Sequence, residues 1–230
     1  MSPIESNLQH VRACINGAIA RLPQARRQPV TLVAVSKAKA VVELREAFAA
    51  GQRAFGENYV QEAVSKIEAM ADLRTQGLLW HFIGPLQSNK AKLVAQYFDW
   101  MHTIDRLKIA QSLSAHRQGL PPLNICLQVN VSGETSKSGV APNGALALAQ
   151  QIACLPALKF RGLMAIIENT PDETAQRMQF RMMQQLFDAM NRGGLDIDTL
   201  SMGMSHDYGV AIEEGATMVR IGSAIFGARP

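Results

Sequence analysis

The chain has 230 residues and 47% of them are hydrophobic, so it can bury the core of one large α/β domain or two small ones. Its net charge of +4 comes from scattered lysines and arginines, which argues against a nucleic-acid-binding surface, and no apolar stretch is long enough to span a bilayer. Cys14, Cys126 and Cys154 lack the spacing of a disulfide framework or metal motif, and the N-terminus is polar, so we expect a reduced, cytoplasmic protein without a metal site.

Short apolar runs alternate with segments of helical periodicity along the sequence. The first element is an amphipathic helix over residues 4–21. The predicted strands that follow are 30–36, 53–57, 78–83, 100–104, 123–131, 158–167, 198–202 and 218–221. A helix is predicted after each of the first seven strands. We expect Asn58, with Gln61 three residues later, to cap one of these helices, and Ser205 to start another.

The repeated alternation of strand and helix, without a break in composition, predicts a (β/α)8 TIM barrel formed by residues 1–230 as a single domain. A doubly wound open sheet is the alternative. Only residues 223–230 follow the eighth strand, which is too short for an ordinary closing helix. We therefore expect the extra N-terminal helix to cover the gap.

Lys37 lies just beyond the first strand, at the edge where α/β folds build their sites. An amine held there on a rigid element and partly removed from water can lose its proton and attack a carbonyl to form a Schiff base. The alternative is an ordinary solvated loop lysine. In a barrel, the residues after the other strands share the same mouth as Lys37.

Gly222 and Ser223 follow the eighth strand, and Ser205 follows the seventh. Loops at these two places commonly bind phosphate in TIM barrels, since a glycine allows close backbone approach and N–H groups can surround an anion. The alternatives are a packing glycine and a plain helix cap. A lysine that forms imines opposite a phosphate site suggests a phosphorylated aldehyde, of which pyridoxal 5′-phosphate is the commonest.

Arg220 points into the same mouth if Val219 and Ile221 point outward, as strand alternation predicts. A guanidinium group only donates hydrogen bonds, so at a pyridine nitrogen it would keep that nitrogen unprotonated and make the ring a poorer electron sink. The alternative is a structural ion pair with an acid such as Glu213 or Glu214.

Several longer stretches resemble one known family in type and order. They are AVSK (34–37), FGENYVQE (55–62), WHFIGPLQSNK (80–90), SKSG (136–139), RGLM (161–164), SMGMS (201–205) and VRIGSAIFG (219–227). Together they resemble the pyridoxal phosphate homeostasis protein family over nearly the whole chain. The resemblance implies a single-domain relative of the alanine racemase barrel that binds pyridoxal 5′-phosphate covalently, with no firm catalytic activity.

The resemblance also implies roles for individual residues. The cofactor-binding residues would be Lys37, Asn58, Ser205, Arg220, Gly222 and Ser223. Among them, Lys37 carries the Schiff base and Arg220 faces the pyridine nitrogen. His81 and Lys137 match family motifs without a role that the sequence explains. His206 departs from the family, in which a small or acidic residue is common at this position, and could alter the charge beside the phosphate.

Three functions are compatible with these observations. The favoured one is a cytoplasmic carrier that serves vitamin B6 homeostasis without turnover and passes the cofactor to apo-enzymes; we expect a monomer with no nucleic-acid or membrane partner. The second is an amino-acid racemase, which needs a further base opposite Lys37. Tyr59 and Tyr208 lie nearest the mouth but each begins a helix. The third is a Schiff-base aldolase for phosphosugars, which has no need of Arg220.

Overall fold

In a computed structural model of the chain, which describes residues 2–134 and 137–228, eight parallel strands close into a barrel in chain order. The strands β1 to β8 are Thr31–Val35, Ala54–Glu57, Leu79–Phe82, Trp100–Ile104, Leu123–Gln128, Leu158–Met164, Thr199–Ser201 and Met218–Ile221. Pairing of β1 with β8 closes the barrel, with Thr31 opposite Met218 and Ala34 opposite Ile221. The predicted (β/α)8 fold is confirmed, and the open sheet is excluded.

Helices surround the strands in the same described ranges. The helices α1 to α9 are Pro3–Arg21, Val41–Ala49, Val60–Ala69, Ala91–Tyr97, Leu107–His116, Pro142–Ala153, Glu173–Arg192, Tyr208–Glu213 and Ser223–Phe226. Two predicted caps are wrong. Helix α3 has Tyr59 and not Asn58 at its N-cap position, and α8 starts at Tyr208 after an N-cap Asp207, so Ser205 lies in the preceding turn.

The predicted N-terminal helix α1 does cover the gap after β8. Helix α9 has only four residues, and α1 packs against both α8 and α9. The Asn7 side chain donates a hydrogen bond from Nδ2 to the Ile225 carbonyl oxygen at 2.9 Å. The Ser2 hydroxyl accepts from the Glu5 N–H and caps α1, while Leu8 and Val11 are buried on its inner face. The outer layer is therefore completed by the first and last helices together.

Strand alternation divides the buried residues into two sets. A large cluster lies between the strands and the helices, and it includes Val219 and Ile221. A smaller cluster fills the inside of the barrel: Val33, Ala54, Trp100, Cys126, Met164 and Met218. Along β8 the inward residues are Met218 and Arg220, and after β1 the same alternation brings Lys37 to the mouth.

Two strands end earlier than the apolar pattern predicts. β5 ends at Gln128, although Val129 and Val131 beyond it are buried. β6 ends at Met164, although Ala165 and Ile167 are buried. The apolar run continues because the loops that line the barrel mouth are also packed, so hydrophobicity does not mark where the strand ladder stops.

The sequence predicts no disulfide framework, no metal site and no membrane-spanning segment, and each prediction can be compared with the described residues. Their cysteines Cys14, Cys126 and Cys154 are free. The described ranges contain no group of three or more histidine, cysteine, aspartate or glutamate side chains that could hold a metal ion. No helix in these ranges is both long and apolar enough to cross a membrane.

Gly17 offers a test of the α1 assignment. It is exposed in the helix interior, and a Cβ there would meet no atom within 4 Å. We expect Gly17→Ala to raise the free energy of unfolding by about 0.5–1 kcal/mol, because alanine loses less backbone freedom on folding. Denaturant unfolding measures the change; a loss of stability would contradict a helix at this position.

Candidate functional site

Lys37 lines a cavity of about 340 Å3 at the carboxyl ends of the strands. This volume lies within the range of small-molecule sites. The predicted residues that line the same cavity are Ser205, Arg220, Gly222 and Ser223. Lys39, Met204 and His206 also line it. Met204 belongs to the SMGMS motif and His206 is the departure from the family noted above, whereas the sequence predicts no role for Lys39. The closed barrel thus brings together residues from β1, β7 and β8 that are far apart in sequence.

Two hydroxyl groups meet on one side of this cavity. Ser223 Oγ lies 3.3 Å from Ser205 Oγ, so the loops after β7 and β8 are in direct contact. Asp207 holds the loop after β7 in place, since its carboxylate accepts a hydrogen bond from the Met204 N–H. Burial raises the pKa of the Asp207 carboxyl above its ordinary value. Each hydroxyl can rotate to donate to an anion in the cavity, in place of the hydrogen bond between them.

Gly222 permits close approach between β8 and β1 below these hydroxyls. A Cβ at this position would lie 3.1 Å from the Val35 carbonyl oxygen and 3.2 Å from Val35 Cβ. Contacts this short are tighter than ordinary van der Waals contact, so Val35 would have to move by a few tenths of an ångström. A side chain here would therefore crowd the strand that carries Lys37.

Arg220 is buried within the barrel, with 4% of its surface exposed. Its Nη1 donates to Ser201 O at 2.8 Å and to Ser201 Oγ at 2.7 Å, and Nη2 donates to Ala165 O at 2.9 Å. Burial lowers the pKa of Arg220 to about 10, so it remains a cation at neutral pH. Its bonds reach carbonyl and hydroxyl oxygens of β7 and the loop after β6.

The alternative ion pair of Arg220 with Glu213 or Glu214 is excluded. Glu213 bonds to Arg21 and Arg177 on the outside of the barrel, and Glu214 bonds to Arg177 and Arg181. These pairs join α1, α7 and α8. Arg220 is thus available to a group in the cavity.

The segment that carries Lys37 rests on a buried ion pair that the sequence did not reveal. Lys66 Nζ on α3 lies 2.8 Å from Glu57 Oε1 and donates to the Ser36 carbonyl oxygen at 2.7 Å. The same amine lies 2.5 Å from Glu62 Oε1, which accepts from the Ala38 N–H. Ala38 has a φ of 59°, an unfavourable value for alanine. Both neighbours of Lys37 are thereby held in place.

Asn58 lies apart from this cavity. It lines a neighbouring cavity of about 400 Å3 together with Tyr59 and Lys90. The Asn58 Oδ1 atom is buried and has no hydrogen-bond partner among the described residues. The Gly84 backbone packs against Asn58 so closely that a Cβ there would lie 2.2 Å from its carbonyl oxygen. Asn58 is therefore at the barrel mouth but on the β2–β3 side.

Two further lysines near the mouth are held by backbone carbonyls. Lys39 Nζ donates to Phe226 O at 2.9 Å and to Ala228 O at 3.0 Å, which ties the loop after β1 to the last helix. Lys137 Nζ donates to Ile167 O at 2.9 Å. Ser136 of the SKSG motif lies outside the described residues. Lys137 is thus engaged by the backbone rather than extended into solvent.

The tyrosines do not share the cavity of Lys37. Tyr59 is 59% exposed and lines the neighbouring cavity. The Tyr97 hydroxyl donates to Glu68 Oε1 at 2.9 Å on the outer helices. Tyr208 begins α8 and interacts with Cys14 of α1. Within the described ranges, no tyrosine lines the cavity of Lys37.

Comparison with known proteins identifies the class of barrel. Residues 7–230 match the model of the alanine racemase N-terminal domain. The barrel superposes on the alanine racemase of Clostridium difficile 630 with a TM-score of 0.72 at 17% identity, covering 97% of this chain and 58% of that one, which reflects the fold alone. The chain belongs to the class of alanine racemase N-terminal-domain barrels.

More similar proteins define the family within that class. The chain is 55% identical to the pyridoxal phosphate homeostasis protein of Pseudomonas aeruginosa, over 100% of this chain and 97% of the relative. It superposes on PipY of Synechococcus elongatus PCC7942, solved with pyridoxal phosphate bound, with a TM-score of 0.84 and 35% identity over 97% of this chain and 100% of PipY. The chain belongs to the pyridoxal phosphate homeostasis protein family, as its motifs predicted.

Proposed function

We propose that this chain binds pyridoxal 5′-phosphate as a Schiff base on Lys37 and serves vitamin B6 homeostasis without turnover of its own. The observation that carries the proposal is that Lys37, the Ser205–Ser223 hydroxyl pair and Arg220 line one cavity. An amine, two hydroxyl donors and a buried cation suit the aldehyde, phosphate and pyridine groups of this molecule. The family membership and the cofactor bound in PipY support the same assignment.

The roles of the residues follow from their chemistry. Lys37 would hold the cofactor covalently through its amine. Ser205, Gly222 and Ser223 would hold the phosphate, with the glycine leaving the backbone open to the anion. Arg220 would donate to the pyridine nitrogen and keep it unprotonated. We retain Asn58 beside the cofactor as a proposal, on the strength of its buried, unpartnered Oδ1 atom at the mouth.

The absence of turnover is part of this proposal. When bound, pyridoxal phosphate supplies an electron sink for amino-acid chemistry. Arg220 limits that capacity, since a guanidinium does not protonate the ring. Racemization also requires a base on each face of the substrate, and within the described ranges the cavity of Lys37 contains no tyrosine to serve as the second. We propose that residues 1–230 act as one cytoplasmic cofactor-binding domain that passes the cofactor to apo-enzymes as a monomer.

Titration of the purified protein with pyridoxal 5′-phosphate tests the proposal. We expect an imine absorbance band that borohydride removes, and transfer of the cofactor to an apo-enzyme added later. The loaded protein is also assayed for racemization of alanine. A protein that forms no band under any loading condition would contradict cofactor binding, and sustained racemization would establish the racemase instead.

The hydroxyl pair provides a separate prediction about the phosphate. We expect Ser205→Ala and Ser223→Ala each to weaken pyridoxal 5′-phosphate binding about tenfold, because each removes a hydrogen bond to a charged group. Affinity for pyridoxal, which lacks the phosphate, should stay near that of the wild type. Ser65→Ala on the exposed side of α3 is a matched control. Equal losses for both ligands would show that the serines act on folding and not on phosphate.

A further inference from the structure

A chain of four hydrogen-bonded side chains crosses the inside of the barrel. Arg220 on β8 donates to Ser201 Oγ on β7 at 2.7 Å. Ser201 Oγ lies 2.9 Å from His102 Nδ1 on β4, and His102 Nε2 lies 2.9 Å from His81 Nδ1 on β3. All four side chains are buried. Branched aliphatic side chains usually fill this space in TIM barrels, so the polar chain calls for a specific explanation.

The donors and acceptors in this chain have one consistent direction. Arg220 only donates hydrogen bonds, so Ser201 Oγ accepts from it. The Ser201 hydroxyl must then donate its own hydrogen bond to a different acceptor. The acceptor in contact with Ser201 Oγ among the described residues is His102 Nδ1. His102 then carries its proton on Nε2 and donates to His81 Nδ1. His81 in turn carries its proton on Nε2.

The opposite direction leaves one more buried group unsatisfied. With a proton on His102 Nδ1, the Ser201 hydroxyl proton would have no acceptor, and a buried unsatisfied donor is costly. His81 Nε2 lacks a partner among the described residues in either direction. The direction away from Arg220 is therefore the more stable of the two.

Surrounding groups hold the two imidazole rings neutral and in place. Burial lowers the pKa of His81 to about 3 and that of His102 well below its ordinary value, with the positive charge of Arg220 adding to the effect on His102. A neutral ring has one acceptor nitrogen, as the chain requires at each Nδ1. Trp100 stacks on His81 with ring centroids 5.3 Å apart and planes 12° apart, which fixes the ring.

We propose that Ser201, His102 and His81 are positioning residues that orient the Arg220 guanidinium toward the cofactor ring. This inference rests on the proposed function, in which Arg220 faces the pyridine nitrogen. Because the Ser201 proton is committed to His102, the hydroxyl keeps a lone pair directed at Arg220 Nη1. The carbonyl oxygens of Ser201 and Ala165 complete the set of acceptors. His81, for which the sequence offered no role, completes the series by accepting a hydrogen bond from His102 Nε2 at its Nδ1.

Three neutral oxygens, from the Ser201 hydroxyl and the Ser201 and Ala165 carbonyl groups, hold Arg220 where a carboxylate partner could otherwise do so. A carboxylate beside Arg220 would orient the guanidinium strongly but would also neutralise its charge. Carbonyl and hydroxyl oxygens orient it while leaving the positive charge available to the ring nitrogen. Because His81 on β3 and His102 on β4 are fixed in the barrel, their hydrogen bonds keep the Ser201 hydroxyl from rotating away from β8.

The proton positions can be measured on the protein without cofactor. Nitrogen-15 NMR of histidine-labelled protein distinguishes the two neutral tautomers and the charged ring. We expect His81 and His102 both to be neutral and protonated on Nε2 at neutral pH. Protonation of His102 on Nδ1, or a charged ring at either position, would overturn the proposal independently of any cofactor.

Two substitutions test the effect on the cofactor. We expect His102→Leu to weaken pyridoxal 5′-phosphate binding about tenfold and to shift the absorbance maximum of the bound cofactor, since the hydroxyl of Ser201 is released. His102→Asn keeps an acceptor near the position of Nδ1 and should restore most of both properties. Cys126→Ala is the matched control, since Cys126 also lies inside the barrel but takes no part in the hydrogen-bonded series of side chains. It should leave the absorbance maximum unchanged.

Ser201→Ala serves as the second variant if His102→Leu does not fold, and we expect the same shift. Unchanged affinity and absorbance in a folded His102→Leu or Ser201→Ala protein would overturn the positioning role. A wild-type protein that never forms the imine band would instead contradict the proposed function. The two failures are therefore distinguishable.

Discussion

Lys37→Arg is expected to lose the cofactor adduct that borohydride reduction should trap in the wild-type protein on the peptide containing residue 37. Arginine keeps the positive charge at the mouth, but its guanidinium stays protonated and does not form a stable imine. Loss of the covalent bond should also weaken cofactor retention by at least about tenfold, or about 1.4 kcal/mol. Peptide mapping by mass spectrometry after borohydride reduction measures the adduct, and gel filtration measures retention.

Lys39 is the matched control for this experiment. It lines the same cavity, and its amine donates to the Phe226 and Ala228 carbonyl oxygens. We expect Lys39→Arg to keep the adduct on Lys37. A wild-type adduct found mainly on Lys39 would show that the anchoring lysine is wrongly assigned, even if the cofactor binds.

Lys66→Met is expected to lower the free energy of unfolding by about 3–5 kcal/mol, because it leaves the Glu57 carboxylate buried without a cation. The Glu57 side chain is fully buried and that of Lys66 is 6% exposed. Thermal or denaturant unfolding measures the loss. The variant should also hold cofactor less well, since Lys66 bonds the Ser36 carbonyl oxygen next to Lys37.

The pH dependence of this variant gives a second readout. Burial raises the pKa of Glu57, and Lys66 opposes the increase. A carboxyl whose pKa is raised by folding stabilises the fold below its unfolded pKa, and this contribution is lost as pH rises through the folded pKa. Without Lys66 the pKa rises further. The stability deficit of Lys66→Met should therefore be largest at neutral pH and shrink as the pH falls into the acidic range.

Two further variants sharpen the interpretation. Lys66→Met combined with Glu57→Gln should recover part of the stability, because the amide carries no charge. Arg45→Met breaks an exposed pair with Asp72 and should change stability little. A Lys66→Met protein as stable as the wild type at neutral pH would contradict the buried pair.

The fold was predictable because its signals are local and repeated. The strands are marked by apolar runs and the turns by glycine and proline, and eight repeats favour a barrel over the open sheet, which the closed strand order then excludes. Strand ends were less predictable, since the residues after β5 and β6 are buried in the mouth. The caps assigned to Asn58 and Ser205 failed because tertiary contacts of the mouth, and not helix capping, determine their positions.

The candidate site was predictable only where strand position decides it. Lys37, Arg220 and Gly222 follow from the ends of β1 and β8. Lys66 was not recognisable, because a lysine on an amphipathic helix is usually solvated and its burial depends on Glu57 across a packed layer. The contact of His81 with His102 depends on register and on which residues face inward, neither of which is marked in the local sequence.

The seam between β1 and β8 has a consequence for how the barrel folds. Thr31 of β1 pairs with Met218 of β8, and beside this seam Asn7 of α1 bonds Ile225 of α9 across 218 positions, so closing the seam makes contacts of very high sequence separation. Such contacts form late and slowly, because loop entropy is lost before they are made. Lys37 stands on one side of the seam and Gly222 and Ser223 on the other. A partly folded chain with an open seam would have no complete cavity, so a ligand that binds there stabilises the closed barrel selectively and slows its opening.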